Sequence, residues 1–241
     1  MSEQDMKLFK TILMNLSSLC LMAAALSAQT VKPVIAELGN PAKGRIEYYN
    51  DSLTPLNVVL ETKSFTVSET GEITYRPLDS TIHLKLSTTS FRIPPQQSFY
   101  VFYEADTQEA PGWFVIYAAF SGFPFRTQQG MNIRLELPHT VYLLPKKSLG
   151  KSEIQVDRLE FRPAEKKLIV EVENTGESFG RVQQTVVDFG KKKQEAPGFP
   201  IFPHRKRIME IALEQNETPT GVVLEFANFK VEEKVQASTT P

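Results

Sequence analysis

Apolar and polar residues alternate along most of this chain in short runs, and this period of two constrains the fold more than any other feature. The runs are rich in β-branched and aromatic residues and occupy residues 45–48, 57–61, 82–86, 131–137, 167–173, 208–213 and 222–226. Because successive side chains of a strand point to opposite faces of a sheet, each run predicts a strand with one buried face. No window of a dozen residues carries the stripe of an amphipathic helix. We therefore predict an all-β fold.

Turn-forming residues separate these runs at intervals of about ten residues, which is typical of a β-sandwich. The roughly 210 residues that follow the N-terminal segment are about twice the ~100 of an immunoglobulin-like domain. We therefore predict two immunoglobulin-like sandwiches in tandem, at residues 29–146 and 152–235. The boundary is placed at the polar, basic segment 145–152. A single large barrel is the alternative.

Two further patterns support this division. An alternating strand that closes on an asparagine occurs in each half, with Asn50 ending the first and Asn174 the second. Residues 113–120 are nearly all apolar, which predicts a strand that is covered on both faces.

The first 28 residues have the composition of a secretory signal peptide. Lys7 and Lys10 precede an apolar stretch at residues 11–26, and cleavage would fall after Ala25 or Ala28. An uncleaved anchor is the alternative, although the apolar stretch is shorter than the ~20 residues that a membrane span needs. The pattern predicts an exported protein without an integral membrane segment after cleavage.

Cys20 is the only cysteine of the chain. A single cysteine excludes an intrachain disulfide and a cysteine-rich zinc site. Lipid modification of Cys20 is an alternative to cleavage, but the bulky Leu19 precedes it. After cleavage no cysteine would remain, so the stability of the exported chain would depend on packing.

Charge and motifs exclude several classes of function. With 27 basic and 28 acidic residues the chain has no broad positive field for nucleic acid, and the short basic cluster at residues 204–207 fits a solvated turn. Only three histidines occur, and metal-protease helices and phosphate loops are missing. The Gly-x-Ser-x-Gly pattern occurs once, at residues 176–180, but in an all-β context rather than on the strand-to-helix turn of a nucleophile elbow. We predict a non-enzymatic protein without cofactor or metal. A hydrolase would require a cleft that gathers His83 or His204 with carboxylates.

The most informative segment is the alternating strand that ends the first predicted domain. Its apolar residues share one face, opposite Asn132, Arg134 and Glu136, and are Met131, Ile133, Leu135 and Leu137. If this strand is interior, these side chains fill the core. If it lies at a sheet edge, they form an apolar ladder beside unpaired backbone groups, and such an edge binds another strand or aggregates.

The order of these elements resembles that of the PapD-like periplasmic chaperones of pilus assembly. The similarity covers nearly the whole chain and depends on residues 45–50, 91–94, 99–103, 113–120, 131–145, 168–174 and 203–205. It implies an L-shaped pair of immunoglobulin-like domains in the periplasm. It also implies that Met131, Ile133 and Leu135 belong to a strand that is lent to an incomplete fimbrial subunit, with an outer-membrane usher as a further partner.

One part of the family pattern is missing from this sequence. The family holds the subunit's terminal carboxylate with an arginine and a lysine, whose positions match Val34 or Ile35 and Thr140 here. Lys32 and His139 are the candidates to replace them. The loss of the charged pair favours the alternative function, a structural or adhesive protein that no longer binds subunits.

Overall fold

The structure is a computed structural model that describes residues 29–122, 135–214 and 217–235. The predicted signal peptide, Met131 and Ile133 lie outside these ranges. The first half of the described chain contains β1 (Thr30–Lys32), β2 (Ile35–Gly39), β3 (Ala42–Asn50), β4 (Leu56–Val67), β5 (Ile73–Pro77), β6 (Ile82–Leu86), β7 (Ser90–Ile93), β8 (Gln97–Thr107), β9 (Gly112–Ser121) and β10 (Leu135–Leu144). The second half contains β11 (Ile154–Arg162), β12 (Lys167–Asn174), β13 (Gly180–Asp188), β14 (Lys193–Ile201), β15 (Arg205–Ala212), β16 (Gly221–Glu225) and β17 (Lys230–Lys234).

The regular helical structure of the described residues consists of single 3-10 turns at Lys151–Glu153 and Pro163–Glu165. The predicted all-β fold is confirmed. The described part of the chain contains no helix with the length and apolar character needed to cross a bilayer.

Four sheets form two sandwiches. In the first domain one sheet has the order β1-β3-β8-β6, and the other has the order β2-β10-β9-β4-β5 with β7 also paired to β4. The second domain stacks β11-β12-β15 on β14-β13-β16-β17. All pairs are antiparallel except β2 with β10, which run parallel.

Each sandwich encloses its own apolar core, so the alternative of a single barrel is wrong. The first core packs Ile46 and Tyr48 of β3 against Phe114 and Phe120 of β9, because these residues occupy the alternate positions whose side chains point inward. The second core is centred on β12, β13 and β16. It also buries Leu149, an apolar residue that the sequence prediction left in the polar segment between the domains.

The strand β9 is covered on both faces, as its apolar sequence predicted. Phe114, Ile116 and Phe120 face the first core. Trp113 and Val115 point to the opposite face of the strand and contact a third apolar cluster, which joins the two domains. This interdomain cluster buries Phe65, Val115 and Tyr142 of the first domain against Phe179 and Phe202 of the second.

Aromatic contacts, hydrogen bonds to the carbonyl of Glu69 and the ion pair of Arg181 with Glu37 hold the domains together. The ring of Tyr142 stacks on that of Phe179 with centroids 4.1 Å apart. The Arg181 guanidinium lies 5.1 Å from the centre of the Tyr142 ring and pairs with the carboxylate of Glu37. Large aromatic side chains supply most of the energy of such interfaces, so we expect the two sandwiches to move as one unit near this cluster.

Candidate functional site

The two flanks of β10 are covered to different extents. On one flank β9 pairs with residues 135–143 of β10. On the other flank β2 pairs only with residues 140–144. In residues 29–122, 135–214 and 217–235, no strand pairs with residues 135–139 on this second flank, although β1 passes near β10. We call this the open flank of β10.

The direction of the backbone groups follows from one hydrogen bond. The N–H of Thr140 donates to the carbonyl of Val34 at 2.8 Å, on the side of β2. Because backbone groups alternate in direction along a strand, the backbone groups of residues 136 and 138 also point to this side. Residue 138 is a proline and has no N–H, so the open flank offers the N–H of Glu136 and two carbonyls.

The side chains of the ladder are only partly covered. Leu135 and Leu137 are half-buried and pack against the first core, whereas Glu136 between them is exposed. The strand is thus an edge over part of its length, and its apolar residues also contribute to the core. The segment therefore matches both interpretations of the alternation: its backbone is at a sheet edge, and its leucine side chains fill part of the core.

The positions of the missing carboxylate clamp carry no charge. Val34 is 55% exposed and Ile35 is 43% exposed, beside the end of the open flank. Ile35 lies directly across from Thr140 in the parallel pair. This corner of the first domain therefore presents apolar side chains to solvent.

The two replacement candidates lie in different surroundings. Lys32 is exposed on the other sheet of the first domain, opposite Glu47. His139 has 0% exposure, and its Nδ1 lies 2.6 Å from the carbonyl oxygen of Pro33. Its Nε2 lies 3.2 Å from the hydroxyl of Tyr103. Capture of a carboxylate by either residue stays a prediction.

Burial dominates the chemistry of His139. Desolvation lowers the pKa of its imidazole below the ordinary value, and the bond to the Pro33 carbonyl offsets this effect only in part. The buried ring acts as a structural link between β10 and the segment that joins β1 to β2.

The hydrolase alternative requires a cleft that gathers His83 or His204 with carboxylates, and His83 lines a surface pocket together with Glu104 and Asp106. His83 contacts Asp106 at 3.0 Å on the first domain, and His204 contacts Glu177 at 3.1 Å on the second. Both pairs are exposed. In the described residues no group of three or more histidine, cysteine, aspartate or glutamate side chains could hold a metal ion.

Sequence reasoning missed the role of one arginine. The basic cluster at residues 204–207 fitted a solvated turn, but within it Arg207 is half-buried and reaches the β4–β5 hairpin. The available signal was the apolar pair Ile208 and Met209 that follows it. A basic residue followed by apolar residues at the start of a strand, such as Arg207, can lie in an interface between domains rather than in a solvated turn.

No protein-family model matches this sequence, and no curated protein sequence matches it significantly. Solved structures match it over both domains. The E. coli chaperone DraB is 13% identical with a TM-score of 0.55, and the match covers 87% of this chain and 97% of DraB.

Two complexes give similar values. A chain from the complex of the Salmonella enterica SafA pilin with the SafB chaperone is 8% identical with a TM-score of 0.55, covering 88% of this chain and 98% of that one. A chain from the Acinetobacter baumannii CsuC–CsuE chaperone–tip adhesion subunit complex is 13% identical with a TM-score of 0.54, covering 86% and 98%. Identities this low establish the fold alone. The resemblance found in the sequence is thus confirmed in the structure: this chain has the two-domain β-sandwich fold of the PapD-like fimbrial chaperones.

Proposed function

We propose that this protein is a periplasmic chaperone that binds fimbrial or other exported subunits by donating β10 to an incomplete sandwich. The observation that carries the proposal is the open flank at residues 135–139, next to a stretch of the same strand that β2 already covers. The fold shared with fimbrial chaperones supports this function. The signal-like N-terminus supports a periplasmic location, and an outer-membrane usher is the expected further partner.

The energetics of strand donation suit a chaperone that uses no nucleotide. Backbone hydrogen bonds supply affinity, and alternate side chains that enter pockets of the partner define the register. Burial of one large apolar side chain is worth ~1.5–3 kcal/mol. Met131 and Ile133 together would contribute roughly 3–6 kcal/mol before the cost of ordering the partners, and Leu135, already half-buried against the first core, would add less than one full burial.

Pro138 limits where pairing can occur. Since it lacks the N–H that would face the open flank, a partner strand gains full hydrogen bonding only from Glu136 toward the start of the strand. Leu137 is therefore expected to contribute less than Leu135 to the binding of a subunit, although the sequence predicted both as residues of the client-binding strand.

The backbone of Glu136 provides the sharpest test. Glu136→Pro removes the one N–H of residues 135–139 that faces the open flank and leaves the bonds to β9 intact. Glu136→Ala removes the same side chain and keeps the N–H, so it is the matched control. We expect co-purification of the subunit encoded nearby to fall at least tenfold for the proline variant and to change little for the alanine variant.

A second pair of substitutions tests the side chains. Ile133→Asp and Leu135→Asp place carboxylates in the apolar pockets of the subunit, and both should abolish co-purification. Circular dichroism and thermal unfolding verify that the sandwiches remain folded. Unchanged capture by the folded aspartate and proline variants would exclude strand donation.

The alternative is a structural or adhesive protein that keeps the fold without the subunit groove. The uncharged Val34, Ile35 and Thr140 at the clamp positions favour it, as does the proline in the open flank. The two functions differ in genomic context, because a chaperone of this type is expected beside a gene for an usher-type outer-membrane barrel.

A further inference from the structure

A pocket lies where the segment that links the domains meets the second sandwich, at the end of β10 opposite to the open flank. Its volume is about 160 Å³. Apolar side chains form most of its wall. They come from the linking segment, from the residue before β13 and from the turn between β16 and β17, and include Pro145, Leu149, Phe179, Phe226 and Phe229. We call this site the linker pocket.

Several contacts hold the walls of the linker pocket in place. The hydroxyl of Ser178 donates to the carbonyl of Lys147 at 2.6 Å. Leu149 packs so closely on Gly180 that a β-carbon there would lie 2.3 Å from the leucine Cδ2. The two phenylalanine rings of the turn are stacked with centroids 4.4 Å apart. The pocket is therefore largely formed before a ligand arrives, and this lowers the ordering cost of binding.

One ion pair forms a polar edge of the pocket. The Nε of Arg181 donates to the carboxylate of Glu37, and both residues line the pocket. The Nη2 of Arg181 is buried and has no hydrogen-bond partner among the described residues, which is costly for an N–H group that has lost its water. The Glu37 side chain is 34% exposed, so its carboxylate can accept a further hydrogen bond. The pair therefore combines an unsatisfied donor with an acceptor.

The charges around the pocket are balanced. Arg181 and Glu37 neutralise each other. The third charged side chain in the described wall, Lys147, pairs with Glu153 at 2.9 Å. An anion in the pocket would meet the Glu37 carboxylate, and a cation would meet the Arg181 guanidinium. A neutral ligand avoids both repulsions.

Size and polarity together indicate the ligand. An apolar cavity of about 150 Å³ accommodates benzene, so this pocket suits one ring. An amide carries a carbonyl acceptor next to N–H donors. These groups match the unsatisfied donor of Arg181 and the carboxylate of Glu37.

We propose that the linker pocket binds a neutral amide that carries one aromatic ring, with the ring against the phenylalanines of the wall and the amide on the pair of Arg181 and Glu37. Such a group occurs in a free aromatic amide and in a peptide, where a backbone amide adjoins a phenylalanine side chain. Glu37 belongs to the first domain and Arg181 to the second, so the ligand contacts both domains.

Titration of the purified, isotope-labelled protein with benzamide and with its charged isostere benzoate, followed by NMR, tests this site. A ligand of nine heavy atoms is expected to bind with a Kd of about 1 mM. We expect benzoate to bind about tenfold more weakly, because its charge meets Glu37. The amide signals that shift with benzamide should include those of Gly180 and Phe229. Equal binding of the two ligands, or no binding of benzamide at about 10 mM, would overturn the proposal.

Two glutamine variants test the role of the ion pair. Glu37→Gln keeps the shape of the side chain and leaves Arg181 without its counter-charge, so benzoate should now bind about tenfold more tightly than benzamide. Glu109→Gln removes the same charge from an exposed position of the first domain outside the pocket and should keep the preference for benzamide. An unchanged preference in Glu37→Gln would contradict the assignment.

A third variant tests the position of the ring. Ala227 is an exposed residue of the turn and lines the pocket, so Ala227→Phe places a further ring where the ligand would lie. It should weaken benzamide binding at least about tenfold without lowering the thermal unfolding midpoint. Unchanged binding by this variant would place the ligand elsewhere.

The peptide Gly-Phe-Gly, blocked at both ends, distinguishes the two sources, with blocked Gly-Ala-Gly as its control. Tighter binding of the phenylalanine peptide than of benzamide identifies a peptide as the ligand, whereas binding of benzamide alone identifies a free amide. These titrations need no subunit, so their failure would leave strand donation standing, and the failure of strand donation would leave this site standing.

Discussion

The last strand of the first domain, β10, carries apolar residues on both faces, whereas the last strand of the second domain, β17, reads Lys-Val-Glu-Glu-Lys. Both strands have backbone groups at the edge of a sheet. In β17 the flank opposite β16 has no strand in the described structure, and four of its five residues are exposed, all of them charged. In β10 the open flank adjoins Leu135 and Leu137.

Charges and prolines are the usual means of preventing an edge strand from pairing with another chain. The second domain uses both, since β17 is charged and the opposite edge strand, β14, contains Pro197 and Pro200. Within residues 135–139 of the first domain, Glu136 and Pro138 are such features, but the half-buried Leu135 and Leu137 lie on either side of Glu136. The edge of the second domain is thus better protected against pairing with another chain than the open flank of β10 is. The proposed strand donation explains why β10 lacks this protection.

The two domains also share a structural feature, a buried asparagine at the end of a central strand, and this allows their stabilities to be compared. Asn50 and Asn174 are both fully buried at the end of a central strand. The Nδ2 of Asn50 lies 2.8 Å from the carbonyl oxygen of Thr54 and 3.1 Å from those of Ile93 and Pro94, so its two N–H groups are shared among three acceptors. The amide of Asn174 donates to Ser178 alone. The same corner is thus more heavily bonded in the first domain.

The largest expected effect concerns these corners. Asn50→Ala leaves three carbonyls without their donor and should lower the free energy of unfolding by about 3 kcal/mol. Asn174→Ala should cost about 1.5 kcal/mol for its smaller set of bonds. Urea denaturation measures both. Equal losses would mean that the corners are energetically equivalent despite their different bonding.

A smaller effect concerns the pH dependence of the first domain. Burial lowers the pKa of His139 below its ordinary value near 6.5, so the unfolded chain binds a proton that the folded chain does not. The free energy of unfolding should therefore fall as the pH drops below about 6.5, by at most about 1.4 kcal/mol per pH unit.

His139→Gln should remove this slope, while the same substitution at the exposed His83 should keep it. Unfolding measured by urea at several pH values compares the three proteins. A slope that persists in His139→Gln would assign the pH dependence to other groups. His139 is buried in the first domain, so the slope should belong to unfolding of that domain.

The smallest effect on stability is expected when β17 is made to resemble β10. Glu232→Val with Lys234→Val removes two charges from the outer face of β17 and should change the free energy of unfolding by less than about 0.5 kcal/mol. The same protein should self-associate through its edge.

Sedimentation velocity over a range of concentrations detects this association. The matched control, Glu232→Gln with Lys234→Gln, removes the charges without adding apolar surface and should sediment as the unsubstituted protein does. A valine variant that does not associate would show that charge is not what protects this edge.

The local pattern of residues was sufficient to predict the all-β class, strands such as β3, β6 and β12, and the double cover of β9, because each of these depends on side chains a few positions apart. Strands such as β2 and β14 were not predicted from the alternation. Leu149 was assigned to a linker since its neighbours are polar, and only the packed second core reveals that it is buried. Arg207 was assigned to a solvated turn for a similar reason. Its environment comes from a hairpin more than a hundred residues away in the chain.

The sequence by itself determined that this chain forms short alternating strands in two sandwiches, since local patterning decides which face of each strand avoids water. Only the tertiary structure decided that β10 is covered by β2 over residues 140–144 and unpaired on that side over 135–139. It also decided that His139 is buried in the core and that Arg207 lines a pocket between the domains. These outcomes depend on which distant strands meet, and that choice is made by the packing of the whole molecule rather than by any short run of residues.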